Sequence, residues 1–234
     1  IDGAAGTTTS AKDLLTLDGK TSVNVNAGAV TAISGSVAEI NKLAGADVAL
    51  GAGVNYTISG TVKAADLSDI ADTTTGVITA TVAADTAQKL AYTLGANTNL
   101  IANVLTNQIN LKVTGATAAE ADLALLNGIT AVNVQVDAKE ITGTVAKLGT
   151  AVTGLYALTT GFTGLADKNV KVTDTVAAAT DAGLLSTILA KTTGVVTATA
   201  NGTVAQLLTI ANATSGKDAL TLNIITDTTA TASD

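Results

Sequence analysis

The chain has 234 residues, of which 45 are Ala, 43 are Thr and 22 are Gly, and its formal net charge is −7 at pH 7. It contains no His, Cys, Met, Trp, Pro or Arg, which removes the imidazoles and thiolates needed for zinc sites, disulfides and nucleophile–base pairs. The acidic balance without arginine also argues against nucleic acids and anionic membrane surfaces as partners, because both attract basic patches.

One pattern recurs along the chain and predicts its local structure. An alternating β-branched run leads to a turn, then to a Thr or Ser, and then to an Ala-rich amphipathic stretch. β-Branched runs favour half-buried strands, and the hydroxyl residue suits the N-cap of a helix. Copies of the pattern, or parts of it, lie at 30–43, 56–67, 76–82, 111–120, 140–148, 170–177 and 194–200.

The copy at 30–43 shows how each part is interpreted. Its first residues alternate as in a strand, and Ser36 with Glu39 three residues later predicts a capping box. Val37, Ile40 and Leu43 then recur at helical spacing. We expect N-caps of the same kind at Thr61 and after the other turns. The same helical spacing relates Leu67 to Ile70, and it relates Val204 to Leu207, Leu208 and Ile210. Further strand-like runs lie at 22–25, 131–136 and 220–224.

The spacing of the pattern predicts the fold. The residues that follow successive turns are about 28 apart on average, which falls in the range of solenoid repeats. They are Thr7, Ser36, Thr61, Asp85, Ala116, Thr144, Thr175, Thr203 and Thr228. We therefore predict an α/β solenoid of about eight stacked repeats, each with one or two short parallel strands and a helix of about three turns.

The two ends of the chain resemble each other. The segments 7–13 and 228–234 match at four of seven positions, and neither end has a divergent polar unit that would cap a solenoid. We expect residues 1–234 to be a single uncapped repeat array. Two interpretations stay open. The array could be a piece of a longer one, which the start at Ile1 and the lack of any Met suggest. Alternatively, it could be a subunit that stacks head to tail with further copies.

Three segments point to a family. The sequences at 14–25, 33–40 and 227–234 resemble Ala/Thr-rich repeats in very large surface proteins of marine cyanobacteria and other aquatic bacteria. The resemblance implies a structural role, outside the cell or at its surface. It carries no catalytic or ligand-binding residues over to this chain.

The acidic residues were considered as sites. Asp66, Asp69 and Asp72 have a spacing that a hard cation could use, although exposed helix acids explain them as well. Two pairs, Glu120 with Asp122 and Asp137 with Glu140, could be acid/base pairs, but they belong to different repeats and nothing in the sequence indicates a pocket beside them. We predict no catalytic, cofactor-binding or metal-binding residues, and no enzyme.

Threonine patterns offer the alternative of a binding module. Thr79-Ala-Thr81 and Thr197-Ala-Thr199 have the form seen on flat ice-binding arrays, but they lie four repeats apart. Asn55, Asn201 and Asn212 match the glycosylation acceptor pattern, and Tyr156 with Phe162 could form a small aromatic contact in an irregular, Gly-rich stretch.

The sequence thus predicts a non-enzymatic structural module of an extracellular or cell-surface repeat protein or filament. Its expected partners are neighbouring repeats or further copies, met head to tail through open ends, with surface or carbohydrate contact as a further option. We expect no membrane insertion, because the apolar stretches are shorter than the roughly 20 residues that a span requires. The alternative is an adhesin or ice-binding array that uses Thr-rich strand faces.

Overall fold

The computed structural model describes residues 8–150, 154–156 and 160–225. It is a mixed α/β protein whose strands pair in parallel within open sheets, which confirms the predicted parallel pairing and the succession of strands and helices. The chain divides into two compact units. Unit 1 comprises residues 1–113 and 125–135, and unit 2 comprises residues 114–124 and 136–234. The similarity predicted between segments 7–13 and 228–234 lies largely outside the described residues.

The elements of the first half alternate between short strands and short helices. They are β1 (Thr9–Ser10), α1 (Ala11–Asp18), β2 (Val25–Ala27), β3 (Ala32–Gly35), α2 (Val37–Leu43), β4 (Val48–Leu50), β5 (Asn55–Val62), α3 (Ala64–Ala71), β6 (Ile78–Val82), β7 (Asp85–Thr86), α4 (Ala87–Leu94), α5 (Thr98–Ala102) and β8 (Gln108–Asn110).

The second half continues in the same way, with one longer helix. Its elements are β9 (Lys112–Thr114), β10 (Thr117–Ala119), α6 (Glu120–Asn127), β11 (Val134–Val136), β12 (Glu140–Gly143), α7 (Val145–Gly149), β13 (Phe162–Thr163), β14 (Asn169–Ala177), α8 (Ala178–Lys191), β15 (Val196–Gly202), α9 (Val204–Ala211) and β16 (Ala219–Ile224). Most helices are about two turns long rather than the three expected, and α8 is the exception.

Unit 1 is organised around a five-stranded parallel sheet with the order β1-β3-β5-β6-β8. Ile33 pairs with Thr9 on one side and with Tyr56 on the other, and Tyr56 pairs in turn with Ile78. Each strand therefore takes its partner from the next copy of the sequence pattern. The side chains of Ile33, Tyr56 and Ile78 all point inward and are at most 6% exposed.

Unit 2 repeats this arrangement with the order β10-β12-β14-β15-β16. Ile141, Val170 and Val196 stand in register on adjacent strands and are fully buried. Leu148, Leu185 and Ile188 on the helices are also fully buried. Burial of each such side chain contributes about 1.5–3 kcal/mol, so aliphatic packing between successive repeats is the main source of stability.

Hydroxyl N-caps begin most of the helices, as predicted. Ser36 accepts the backbone N–H of Glu39, while the Glu39 carboxylate accepts the Ser36 N–H at 2.8 Å, which completes the capping box. Thr203 caps α9 with the same kind of capping box, and the Thr144 hydroxyl caps α7 by accepting the N–H of Lys147. Ser10 and Thr86 also cap helices, although neither was among the expected caps.

Two predicted caps were wrong, and they fail for the same reason. Thr61 lies inside β5, and α3 begins two residues after Val62, where Lys63 takes the N-cap position. Thr175 lies inside β14, and α8 begins only at Ala178. In both strands the register shifts, between Thr57 and Thr61 and between Lys171 and Thr175, so the strand runs past the expected turn. Gly60 supplies the left-handed backbone at the first shift, with φ of 77°.

A tight turn precedes β15 and fixes its start. The Thr192 hydroxyl donates to the carbonyl of Lys168 and accepts the N–H of Gly194 at 3.0 Å. Gly194 packs directly on that backbone, and a Cβ at this position would overlap the Lys168 carbonyl. The same contacts join Thr74 and Gly76 to Val54 before β6. Glycine is therefore required here by the close approach of two backbones.

Gly194→Ala is expected to destabilise unit 2 by about 2–3 kcal/mol, because the added methyl group has no room. The matched control is Gly183→Ala in the middle of α8, where a Cβ would meet nothing within 4 Å. This control is expected to stabilise the helix by about 0.5–1 kcal/mol. Urea unfolding of both variants measures the difference, and equal effects would contradict the turn geometry.

The capping box predicts a pH dependence. The hydrogen bonds from the backbone and side chain of Ser36 lower the pKa of Glu39 below its ordinary 4.5. A carboxyl whose pKa is lowered by folding stabilises the protein above pH 4.5, and this contribution is lost as the pH falls through the lowered value.

The Glu39→Gln variant has no titratable group at this position. The difference in free energy of unfolding between wild type and variant should therefore shrink as the pH falls below the ordinary carboxyl pKa of 4.5. Thermal unfolding from about pH 7 to about pH 3 tests this. Asp13→Asn in the first turn of α1 is the comparison, because its carboxyl takes no part in a capping box. A wild-type advantage that stays constant over this range would disprove the assignment.

Candidate functional site

The outward side of the sheet in unit 1 carries hydroxyl and amide side chains in rows. Ser34, Thr57, Thr79 and Gln108 stand opposite one another on successive strands. The shifted register of β5 then places Thr61 opposite Thr81. These pairs form a two-by-two array of threonines, which we call the threonine face. It consists of Thr57, Thr79, Thr61 and Thr81.

The outward side of the sheet in unit 2 is similar but less regular. Thr175, Thr199 and Thr221 form one row across three strands. The neighbouring row contains Lys171 and Thr197, so a charge interrupts the threonines. A third row ends in an amide pair, in which Asn223 donates to the side-chain oxygen of Asn201 at 2.9 Å.

These rows modify the sequence prediction. The two Thr-x-Thr segments do fall in different sheets, as their separation in the sequence indicated. The sequence analysis missed that Thr57 and Thr61 continue the first of them, because the register shift was not foreseen. The signal that could have found it is Ser59-Gly60, since an isolated glycine in a strand pattern indicates a bulge.

A second surface is apolar and lies at the end of unit 2. Val204 and Leu208 on α9 are each 54% exposed, and Leu222 and Ile224 on β16 are 38% and 68% exposed. These four residues, which we call the end face, line a shallow groove of about 190 Å³ together with Leu207 and Ala211. Within the described residues, no strand pairs with the outer edge of β16.

The helical spacing of Val204, Leu207, Leu208 and Ile210 does not show which of them are exposed. Only Leu207 and Ile210 are buried in the structure. Val204 and Leu208 are four residues apart and form a second stripe. A helix that is apolar on two sides is typical of one that has neighbours on both sides.

A larger groove of about 510 Å³ lies in unit 1, between the starts of α3 and α4. Its lining includes Lys63, Gln88 and the ion pair of Lys89 with Asp85, whose charged atoms are 3.4 Å apart. The backbone N–H of Thr86 donates to Asp85 and lowers the pKa of that carboxyl, and Lys89 adds to the effect. Tyr92 stands at the rim and is 88% exposed. The sequence analysis did not single out this aromatic residue.

The structure does not bring Asp66, Asp69 and Asp72 together as a cation site. Asp66 lies in the first turn of α3, where it suits the helix dipole, and Asp72 ends the helix. The Asp72 carboxylate accepts the amide of Asn97 at 2.9 Å. In the described part of the chain, no three acidic residues are close enough to hold a metal ion.

The two candidate acid/base pairs lie on different elements. Glu120 and Asp122 occupy the first turn of α6, while Glu140 lies on β12. Partial burial raises the pKa of Glu120, and the charge of Lys147 lowers it by less.

The remaining candidates have structural surroundings. The side chain of Asn55 accepts the N–H of Val77 at 2.7 Å, and Asn201 belongs to the amide pair of unit 2. Asn212, at the end of α9, is exposed. Tyr156 is only 5% exposed, so it cannot make the predicted aromatic surface contact. The same burial raises the pKa of its hydroxyl group. Residues 151–153 and 157–159 of that stretch lie outside the described residues.

Two further findings bear on function. Among the described residues, no helix is both long and apolar enough to pass through a membrane. Comparisons with protein-family models, with curated proteins and with solved structures found no match to this chain.

Proposed function

We propose that this protein is a non-enzymatic structural module of an extracellular or cell-surface repeat protein or filament, and that each of its units is a stretch of α/β solenoid. The observation that carries the proposal is the register of the parallel strands. Partner residues on adjacent strands of the two large sheets are separated by 20 to 29 residues in sequence, so one repeat pairs with the next throughout each sheet.

The packing supports a mechanical role. Each repeat adds one strand and one short helix, and neither could persist alone because isolated helices of two turns are unstable in water. Stability then arises between neighbouring repeats, as in other repeat proteins. A chain built this way transmits load through backbone ladders and aliphatic contacts, without a binding pocket or a reactive group.

The end face supports continuation of the stack. Among the described residues, exposed apolar side chains lie beside a strand edge that has no partner strand, which is the condition under which further repeats, or further copies, add on. The location outside the cell rests on the resemblance to surface-protein repeats, and the net charge of −7 suits a soluble surface module.

Single-molecule pulling tests the mechanical role. The full chain, held at its two ends, is expected to unfold in a few cooperative steps. Leu185→Ala removes a fully buried side chain of α8 and is expected to lower the force of one step, since such truncations cost about 2–5 kcal/mol.

The matched control is Leu208→Ala, because Leu208 is half exposed in the single chain and its truncation should leave the force profile unchanged. Gradual extension at low force, without cooperative steps, would refute the proposal.

A second candidate is a binding module that uses the threonine face. It is favoured by the two-by-two array, whose methyl and hydroxyl groups project from adjacent strands about 4.8 Å apart. Carbohydrate or ice surfaces are the ligands that such a flat array suits.

If the threonine face binds ice, the wild-type protein shows thermal hysteresis, and Thr79→Lys abolishes it by placing a charge in the array. Thr187→Lys on the exposed side of α8 is the control and should keep the activity. Absence of hysteresis in the wild-type protein would eliminate the ice-binding form of this candidate.

A further inference from the structure

The sequence contains two pairs of matching segments. Segments 11–27 and 120–136 are identical at 8 of 17 positions, and segments 74–81 and 192–199 at 7 of 8. The matches extend to local geometry: Val23 donates its N–H to the Thr21 hydroxyl at 3.1 Å, and Val132 donates to the Thr130 hydroxyl at 3.2 Å. Each position in one segment can therefore be compared with its equivalent in the matching segment.

The last elements of unit 2 correspond to α4 and β8 of unit 1. Thr86 caps α4 as Thr203 caps α9. The Asn107 side chain accepts the N–H of Ile78 at 2.9 Å, just before β8, and Asp218 accepts the N–H of Val196 at the same distance, just before β16. These contacts align the helices and the strands residue by residue.

The aligned positions differ sharply in burial. The four end-face residues of unit 2 are between 38% and 68% exposed, whereas their equivalents in unit 1 are each at most 3% exposed. The equivalents of Val204, Leu208, Leu222 and Ile224 are Ala87, Ala91, Leu111 and Val113, in that order. Unit 1 thus has a covering segment where the described part of unit 2 has none.

Residues 125–135 supply part of that cover along β8. Ala131 donates its N–H to the carbonyl of Asn107 at 2.8 Å, and Gln135 donates to that of Leu111 at 2.9 Å. The Thr130 hydroxyl accepts the N–H of Ile109 at 3.1 Å. Near the end of α4, a Cβ on Gly95 would lie 3.0 Å from the Cβ of Leu125.

The sequence equivalent of this covering segment is exposed near the start of the chain. It comprises residues 16–26. Leu17 is 41% exposed, whereas its counterpart Leu126 is fully buried. Thr21 is exposed, whereas Thr130 is only 5% exposed, although both form the same turn with the valine two residues later. The N-terminal repeat therefore has the local geometry of the cover, but within residues 8–150, 154–156 and 160–225 it lacks the partner that the cover packs against.

We propose that the end face of one chain binds the N-terminal repeat, residues 9–27, of a second copy of the same chain. The contact reproduces between copies the one that residues 125–135 make within unit 1. Thr21 and Asn26 of the second copy take the places of Thr130 and Gln135 along the outer edge of β16. This inference rests on the proposed function and names its interface.

Continuity with an existing strand ladder supports the same pairing. In unit 2, β16 is the last strand of the sheet within the described residues, and it is the strand whose outer edge the second copy would pair with.

Engineered cysteines test the contact directly, because the natural chain contains none. Gly95 and Leu125 correspond to Asn212 and Thr16, which are both exposed, and their separation in unit 1 is close to that of a disulfide. Thr16→Cys and Asn212→Cys chains are mixed under mild oxidation. Mixed dimers are expected to exceed either homodimer by about tenfold, which corresponds to a preference of about 1.4 kcal/mol.

The specificity of the cross-link is tested with a second pair of variants. Leu208→Glu in the Asn212→Cys chain should reduce mixed dimers by about tenfold by placing a charge in the groove. Leu105→Glu is the control, because Leu105 is 87% exposed and lies outside the end face. Equal yields of all dimers, or equal effects of the two Glu variants, would overturn the proposal.

A third outcome would also overturn the proposal. If the chains stay monomeric without a cross-link at high concentration, and the thiol of the Asn212→Cys chain is shielded from a thiol reagent, the chain covers its own end face. The pulling experiment is independent of these results, since it uses single chains. Loss of the cross-link with intact unfolding steps would reject the interface alone, whereas loss of the cooperative steps would reject the structural role.

Discussion

Every strand in this protein depends on its neighbour for the hydrogen bonds of its backbone. A short parallel strand cannot satisfy its own N–H and C=O groups, and leaving them unpaired in a buried site is costly. The sequence meets this requirement by repeating itself, so that the same run of inward aliphatic and outward polar residues returns after one repeat. Ile33, Tyr56 and Ile78 stand in line because the pattern that produces each of them is the same.

Side chains complete the ladder where the strands β6 and β15 begin. Asn55 and Asn107 accept the N–H groups of Val77 and Ile78, and Asn169 and Asp218 do the same for Val195 and Val196. Asn107 is only 1% exposed, and its amide also donates to the carbonyl of Leu100. The buried polar group is therefore satisfied on every side, which is the condition under which such a group is tolerated.

Much of the fold could be predicted from the sequence because its signals are local. The capping box of Ser36 and Glu39, the helical spacing in α2 and the parallel pairing all follow from short-range patterns. The strand extension at Thr61 has a local signal in Gly60, but the extension at Thr175 has none and could not be predicted, because a register shift depends on the neighbouring strand. The end face was missed for a related reason: the sequence shows that Val204 and Leu208 are apolar, but only the structure shows which side of α9 is covered.

The Asn and Asp acceptors have a consequence for how such repeats vary in length. Because a side chain accepts the backbone N–H at the start of strands such as β6 and β15, the connecting loop before the strand need not have a fixed number of residues. The intervals between paired residues, from 20 to 29, reflect that freedom. An evolving gene, or a protein engineer, could lengthen a loop at this point and present a new peptide on the surface while the aliphatic interior keeps its alignment.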